Sequence, residues 1–362
     1  MKILTIVGAR PQFIKAAMLN RAIRARNDMS EVLVHTGQHH DAQMSDVFFQ
    51  QLDIQRPQHS LGVSGGTHGD MTGRMMIALD PVLQVERPDL VLVYGDTNST
   101  LAAAVCASKF GIPLAHVEAG LRSFNRAMPE EINRVLTDHL ANYLFCPTRT
   151  AVENLQREGI VTNVHDVGDI MYDAALHYGN SPDNAALLSA ELREVHQTRA
   201  YVLATIHRQE NTDAPQRLGR IMDGILELAD AHPVVLPLHP RTRGKLDDAT
   251  LKRLCEHKQV YLTEPLGYLE MLQLERNAQL ILTDSGGVQK EAFFFKVPCA
   301  TLRDQTEWKE LVDHGWNTLI DVSIDPIADR ALRCYGRAGH ADFNPYGEGH
   351  TSETILSTLI SA

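Results

Sequence analysis

DLVLVYGD occupies residues 89–96, and the polar run Thr97-Asn98-Ser99-Thr100 follows it directly. Apolar residues dominate without alternation, as in a strand buried on both faces of a parallel sheet, and the run ends in Gly and an acid where a turn is needed. The next residues, 97–110, have helical spacing. Outward from this unit the same order recurs. KILTIVG (2–8), EVLVHTG (31–37), PLAHVEAG (113–120), NYLFCPT (142–148) and NVHDVG (163–168) read as strands, with helical stretches at 12–26, 67–86 and 129–140. Repeated β-α order implies a doubly wound parallel sheet.

A polar, weakly patterned segment at 178–198 interrupts the rhythm, which then restarts. YVLATIH (201–207), PVVLPLHP (233–240), QVYLTEP (259–265), QLILTDSGG (279–287) and PCATLR (298–303) form a second set. The expectation is an α/β chain of two Rossmann-like domains, residues 1–170 and 171–348, whose parallel sheets face across a cleft with a hinge near 169–180. Residues 349–362 read as a helix packing back on the first domain. Two domains also suit 362 residues.

A net charge of −11 argues against a nucleic-acid or anionic-membrane binder. No apolar run approaches a membrane span, and the N-terminus lacks a signal peptide's apolar core. The five cysteines are scattered and never C-x-x-C, as for reduced thiols in a cytoplasmic protein. No metal is expected: His and Cys show no ligand spacing, and the local cluster His39-His40-Asp41 reads as a loop or effector site.

In open α/β sheets ligands bind beyond the carboxyl ends of the strands, where this sequence puts its unusual residues. Gly8-Ala9-Arg10-Pro11, with Lys15 one turn on, enters a helix and suits an anion; it is not G-x-G-x-x-G, so no NAD or other cofactor is expected. Asp96 follows its strand either as a helix cap or as a catalytic acid. Glu118, in His116-Val117-Glu118-Ala119-Gly120, is a carboxylate among apolar neighbours and so must be paired or functional. Pro129-Glu130-Glu131 suits a helix start, yet Asp96, Glu118 and Glu130 together would supply acid and base groups if they faced one cleft. In the second half, His207-Arg208 with Glu210-Asn211 and His239-Pro240-Arg241 end successive strands. Ser285-Gly286-Gly287 then offers helix N-terminal amides for a diphosphate, and Glu291 one turn on could accept ribose hydroxyls. Arg303 and Glu307 follow the next strand.

In family order over nearly the whole chain, these stretches, with Tyr94-Gly95-Asp96-Thr97 and Gly120-Leu121-Arg122, resemble the non-hydrolysing UDP-N-acetylglucosamine 2-epimerases of GT-B architecture. The resemblance implies a homodimer that interconverts UDP-N-acetylglucosamine and UDP-N-acetylmannosamine by eliminating UDP to a 2-acetamidoglucal and adding it back. It maps the catalytic carboxylates to Asp96, Glu118 and Glu130 and a catalytic or phosphate-contacting histidine to His207. Arg10, Lys15, Arg208, His239 and Arg303 fall among the substrate contacts, as do Ser285, Gly286, Gly287 and Glu291 of the UDP site. The loop Ser123-Phe124-Asn125-Arg126-Ala127-Met128 and the segment Gly37–Met44 depart from many bacterial members. Both resemble a branch acting on UDP-2,3-diacetamido-2,3-dideoxyglucuronate, whose C6 carboxylate Arg126 could pair. Rival readings are a GT-B glycosyltransferase, a hydrolysing epimerase and a non-catalytic UDP-sugar sensor. The glycosyltransferase needs no acid trio, in a sensor the acids would be structural, and a hydrolysing epimerase would release UDP.

Overall fold

The computed structural model describes residues 1–38, 49 and 51–361, and divides into two units, Met1–Ala174 with Asn344–Ala362 and Ala175–Phe343. In the first unit the apolar runs form β1 (Lys2–Val7), β2 (Ser30–His35), β3 (His59–Ser60), β4 (Leu90–Tyr94), β5 (Leu114–Val117), β6 (Tyr143–Cys146) and β7 (Val164–Asp166). They make one parallel sheet of order β3-β2-β1-β4-β5-β6-β7, with Ile3 beside Leu90 and Ile6 beside Val93. In the second unit β8 (Val202–Thr205), β9 (Val234–Pro237), β10 (Val260–Thr263), β11 (Leu280–Thr283), β12 (Cys299–Thr301) and β13 (Asn317–Leu319) lie in the order β10-β9-β8-β11-β12-β13. Both sheets reverse direction of winding beside their first strand, between β1 and β4 and between β8 and β11. Such a switch point splays the flanking loops apart and opens a crevice at the carboxyl ends.

Continuous Val, Ile and Leu lets both faces of a strand bury. Leu4, Ile6, Val91 and Val93 pack with Met75, Leu79 and Ala103, all almost wholly buried. The run Ala102-Ala103-Ala104 leaves room for helix Asn98–Phe110 to lie close to the sheet. Thr97 caps that helix, its side chain accepting from Thr100 N, and Gly111 ends it with a left-handed φ of 68°. The capping task therefore falls to Thr97, and Asp96 is released from it. In the second unit Val202 and Leu282 pack with Leu218 and Ile225 of helix Pro215–Ala229.

The stretch 169–180, expected as a hinge, is helical over Ile170–Gly179. The polar segment 178–198 is a 3-10 helix, Pro182–Leu187, followed by helix Ala190–Thr198, whose Leu192 and Val195 are buried. Helix Thr351–Ser361 packs on helix Arg10–Arg24 of the first unit. No helix among the described residues is long and apolar enough to cross a membrane.

Candidate active site

At the switch point of the first unit, Gln12 joins the two loops. It is 2 % exposed; its Oε1 accepts from Gly8 N at 2.8 Å and Ala9 N at 3.1 Å, and its Nε2 donates to Tyr94 O at 2.7 Å. The amides of the β1 turn, expected to serve an anion, are thus already filled from within the chain. Lys15, expected as a phosphate contact, is 7 % exposed and forms an ion pair with Glu118.

Glu118 ends β5 with a backbone φ of +72°, a conformation that costs a residue with a Cβ about 1–2 kcal/mol. Its amide and that of Ala119 both donate to Phe145 O, which holds the bend. Gly95 answers it from β4. At φ +61° Gly95 bears no Cβ, and one placed there would lie 3.0 Å from Glu118 Oε2 and 3.6 Å from Lys15 Nζ. Beneath them lies a buried network that the sequence reading did not single out. His116 places Nε2 2.7 Å from Gly95 O and Nδ1 2.7 Å from Asp138 Oδ1. Both ring nitrogens face acceptors, so both bonds form only when the ring carries two protons. Asp138 also accepts from Arg122 Nη1 at 2.6 Å and Gly120 N at 3.1 Å, and Arg122 grips Glu158 through two 2.7 Å bonds. Burial raises the Asp138 carboxyl, but His116 and Arg122 outweigh it and hold it below its ordinary value.

Asp96 lies across the same strand ends. Its side chain pairs with Arg134 of helix Pro129–Leu140, and its backbone carbonyl accepts from Asn133 Nδ2 at 2.9 Å. The carboxylate keeps 30 % exposure but sits deep among protein atoms. Burial pushes it above its ordinary value against the pull of Arg134, and the charge of Glu118 pushes the same way as burial. Glu130 stands at the start of the same helix, partly exposed, its side chain with no hydrogen bond or ion pair among the described residues. Its neighbour Glu131 is 1 % exposed and fully engaged by Ser123, Phe124 and Arg134. Asp96, Glu118 and Lys15 therefore form one electrostatic group, which Arg134 links to the helix bearing Glu130. Arg10 starts helix 10–24 as an exposed residue.

In the second unit the organiser is Asp284, wholly buried at the end of β11. It accepts from His207 N at 3.0 Å, Arg208 N at 2.9 Å and Asn211 Nδ2 at 3.1 Å, and so fixes the loop after β8. The His207 and His239 rings lie 5.4 Å apart. His239 accepts from Arg241 N at 3.1 Å through Nδ1, a capping role beside its expected one; burial, then His207, lowers its pKa. Ser285 caps helix Gly286–Phe294, and the first-turn amides of Gly286 and Gly287 take no protein acceptor among the described residues. Glu307 reaches over them, since a Cβ on Gly286 would lie 2.4 Å from its Oε1. It pairs with Arg303 at 2.7 Å and Arg208 at 3.7 Å. Burial raises the Glu307 carboxyl, but the backbone and the two arginines bring it below its ordinary value. Glu291, one turn into the helix, is 8 % exposed. His39-His40-Asp41 and the rest of 39–44 lie outside the described residues.

Paired Rossmann-like sheets with acids at one switch point and cations and open amides at the other define a two-domain α/β enzyme of the GT-B class. The family model for UDP-N-acetylglucosamine 2-epimerase matches residues 21–360. The UDP-2,3-diacetamido-2,3-dideoxy-D-glucuronate 2-epimerase of Pseudomonas aeruginosa is 50% identical over 99% of both chains. The UDP-N-acetylglucosamine 2-epimerase of Methanocaldococcus jannaschii is 44% identical, again over 99% of both. A crystal structure of the latter with UDP-GlcNAc and UDP superposes with a TM-score of 0.83, covering 100% of each chain. The chain belongs to the UDP-N-acetylglucosamine 2-epimerase family.

Proposed function

We propose that this protein epimerises UDP-N-acetylglucosamine at C2, with Asp96, Glu118 and Glu130 moving the protons. The observation that carries the reading is the clustering of Asp96 and Glu118 with Lys15 at the first switch point, with Arg134 linking Asp96 to the helix that starts at Glu130. C2 of an N-acetylhexosamine has no adjacent carbonyl, so its proton is not acidic enough for simple removal. Elimination solves this: a carboxylate takes the C2 proton, the C1–O bond breaks with its electron pair on UDP, and a C1–C2 double bond remains. Protonation at C2 from the other face and return of UDP to C1 complete the inversion. Carboxyl groups in unlike surroundings suit the two proton transfers. Arg208, His207, Arg303 and the amides of Gly286 and Gly287 are the groups proposed to receive the departing diphosphate, once Glu307 yields the two arginines to it. Arg10, His239, Ser285 and Glu291 complete the proposed substrate contacts.

A second substrate has a specific observation in its favour. The 50% identical Pseudomonas aeruginosa relative is named for a diacetamido glucuronate, and the exposed Arg126 in the loop after β5 offers a cation for a C6 carboxylate. The test is incubation in D2O with either UDP-sugar, followed by NMR at C1 and C2. Deuterium at C2 with UDP retained is expected, and Asp96→Asn or Glu130→Gln abolishes it while UDP still binds. No exchange with either sugar refutes the reading. A homodimer acting in the cytoplasm, in building polysaccharide precursors, completes the proposal. Ile77 and Val85 on helix His68–Glu86, 76 % and 75 % exposed, offer an apolar face for a second copy.

A further inference from the structure

We propose that Glu131 is a positioning residue for the chemistry at Asp96: it shares Arg134 with Asp96 and ties that contact to the seating of the loop 121–128. The proposal rests on the reading of Asp96 just given. Glu131 opens the helix that carries Arg134, and its carboxylate is saturated by four donors. Ser123 N lies at 2.8 Å, Ser123 Oγ at 2.9 Å, Phe124 N at 3.0 Å and Arg134 Nη1 at 3.2 Å. Arg134 spends its other terminal nitrogen on Asp96. A guanidinium is a rigid fork, so its position between two carboxylates depends on how well each is satisfied elsewhere.

Three of the four bonds to Glu131 come from the loop, and that loop is held in a costly shape. Phe124 has a φ of +58° and a side chain 71 % exposed, so nothing in its own packing explains the conformation. The amides it presents to Glu131 do. While the loop is seated, Glu131 is satisfied without drawing on Arg134 alone. When the loop lifts, a carboxylate 1 % exposed loses three donors and turns to Arg134, the donor left to it among the described residues. The guanidinium then leaves Asp96, which keeps a proton to higher pH. The groups facing Asp96 are Arg134 from this helix, Glu118 from the end of β5 and Lys15 from helix 10–24, and each adds its charge to the balance. A loop next to the acid cluster thereby sets when one of its acids gives up a proton.

The experiment follows the Asp96 carboxyl carbon by 13C NMR titration of the free protein, its signal assigned by its loss in Asp96→Asn. Glu131→Gln removes the competing charge and commits Arg134 to Asp96, so the midpoint falls by about one pH unit. Arg134→Lys, whose single ammonium cannot span both carboxylates, raises it by a similar amount. Ser123→Ala removes one loop donor without touching the core and raises it by roughly half a unit. The pH profile of C2 exchange moves in the same directions. Midpoints that stay put in folded Arg134→Lys and Ser123→Ala proteins, or move together with that of Glu131→Gln, overturn the proposal. If Glu131→Gln fails to fold, the other two variants decide it. Shifts in the free protein without C2 exchange in the wild type would sink the proposed function and leave the coupling standing.

Discussion

Gly8→Ala places a methyl group where the first unit has no room. The added carbon would lie 2.1 Å from Thr36 Oγ1 and 2.2 Å from Ser99 Oγ, roughly 1 Å or more inside an ordinary contact. Neither hydroxyl can swing away freely. They bond each other at 2.8 Å, Ser99 Oγ also donates to Gln38 Oε1 at 2.8 Å, and both residues are fully buried. Overpacking costs about 1–3 kcal/mol and a broken buried hydrogen bond about 1 kcal/mol more, which makes roughly 3 kcal/mol the working figure. For a unit of about two hundred residues that lowers the melting temperature by about 6–12 °C. Ser99→Ala alone loses its hydrogen bonds, about 1 kcal/mol. In the double variant the Ser99 oxygen is no longer in the way, so part of the Gly8→Ala penalty is never incurred. Calorimetric scans at one rate should show the double variant at least 1 kcal/mol, or about 2–4 °C, better than the sum of the singles. Additive effects within about 0.5 kcal/mol would refute the claim that Gly8 is glycine because of these hydroxyls.

Asp138→Asn removes the carboxylate that His116 and Arg122 share, leaving Arg122 its pair with Glu158, and should cost about 2–3 kcal/mol at neutral pH. The folded-state pKa of Asp138 lies below its ordinary 3.8, so its stabilisation is present above that value and fades as the pH falls through the lower folded value. Melting curves of wild type and variant should therefore converge only below about pH 4; a gap unchanged at pH 2.5 would remove the ion network as its cause. Sedimentation at micromolar concentration should give twice the 40.3 kDa chain mass, and Ile77→Glu with Val85→Glu should give the single mass. A wild-type monomer would discard the apolar face as a dimer contact.

Eleven of the thirteen strands were legible, most of them because a strand buried on both faces must be written as an uninterrupted apolar run, while the half-buried β7 and β10 were read from the repeated β-α rhythm. The other two were not. β3 is the polar pair His59–Ser60 and β13 only three residues, both at sheet edges where burial is needed on fewer sides. The helix inside 178–198 escaped because two buried residues, Leu192 and Val195, are too few to mark a period. At the site, residues following a strand could be picked out, since strand ends are where such sheets place chemistry. Their partners could not. Gln12 reads as an ordinary polar residue early in a helix, yet it bonds Tyr94, 82 residues away. Glu131 reads as an acid suited to a helix N-terminus, and only the fold turns it toward Ser123 and Arg134. Lys15 reads as a cation suited to a phosphate, and the sequence cannot display the Glu118 beside it, 103 residues on.

That last pair has a consequence for how the protein can change over generations. The left-handed backbone at Glu118 would be relieved by glycine, a gain of about 1 kcal/mol. The same replacement takes from Lys15, 7 % exposed, its ion-pair partner and leaves Asp96 as the opposite charge of the cluster, and breaking such a buried pair costs about 3–5 kcal/mol. Losing Lys15 first is no easier, for it takes the ion-pair partner from the glutamate. Relief from strain is reached only by two simultaneous substitutions, with a poorly folding protein at either single step. A lineage that no longer used the carboxylate would thus be expected to keep it for a long time, held by its neighbour rather than by the reaction.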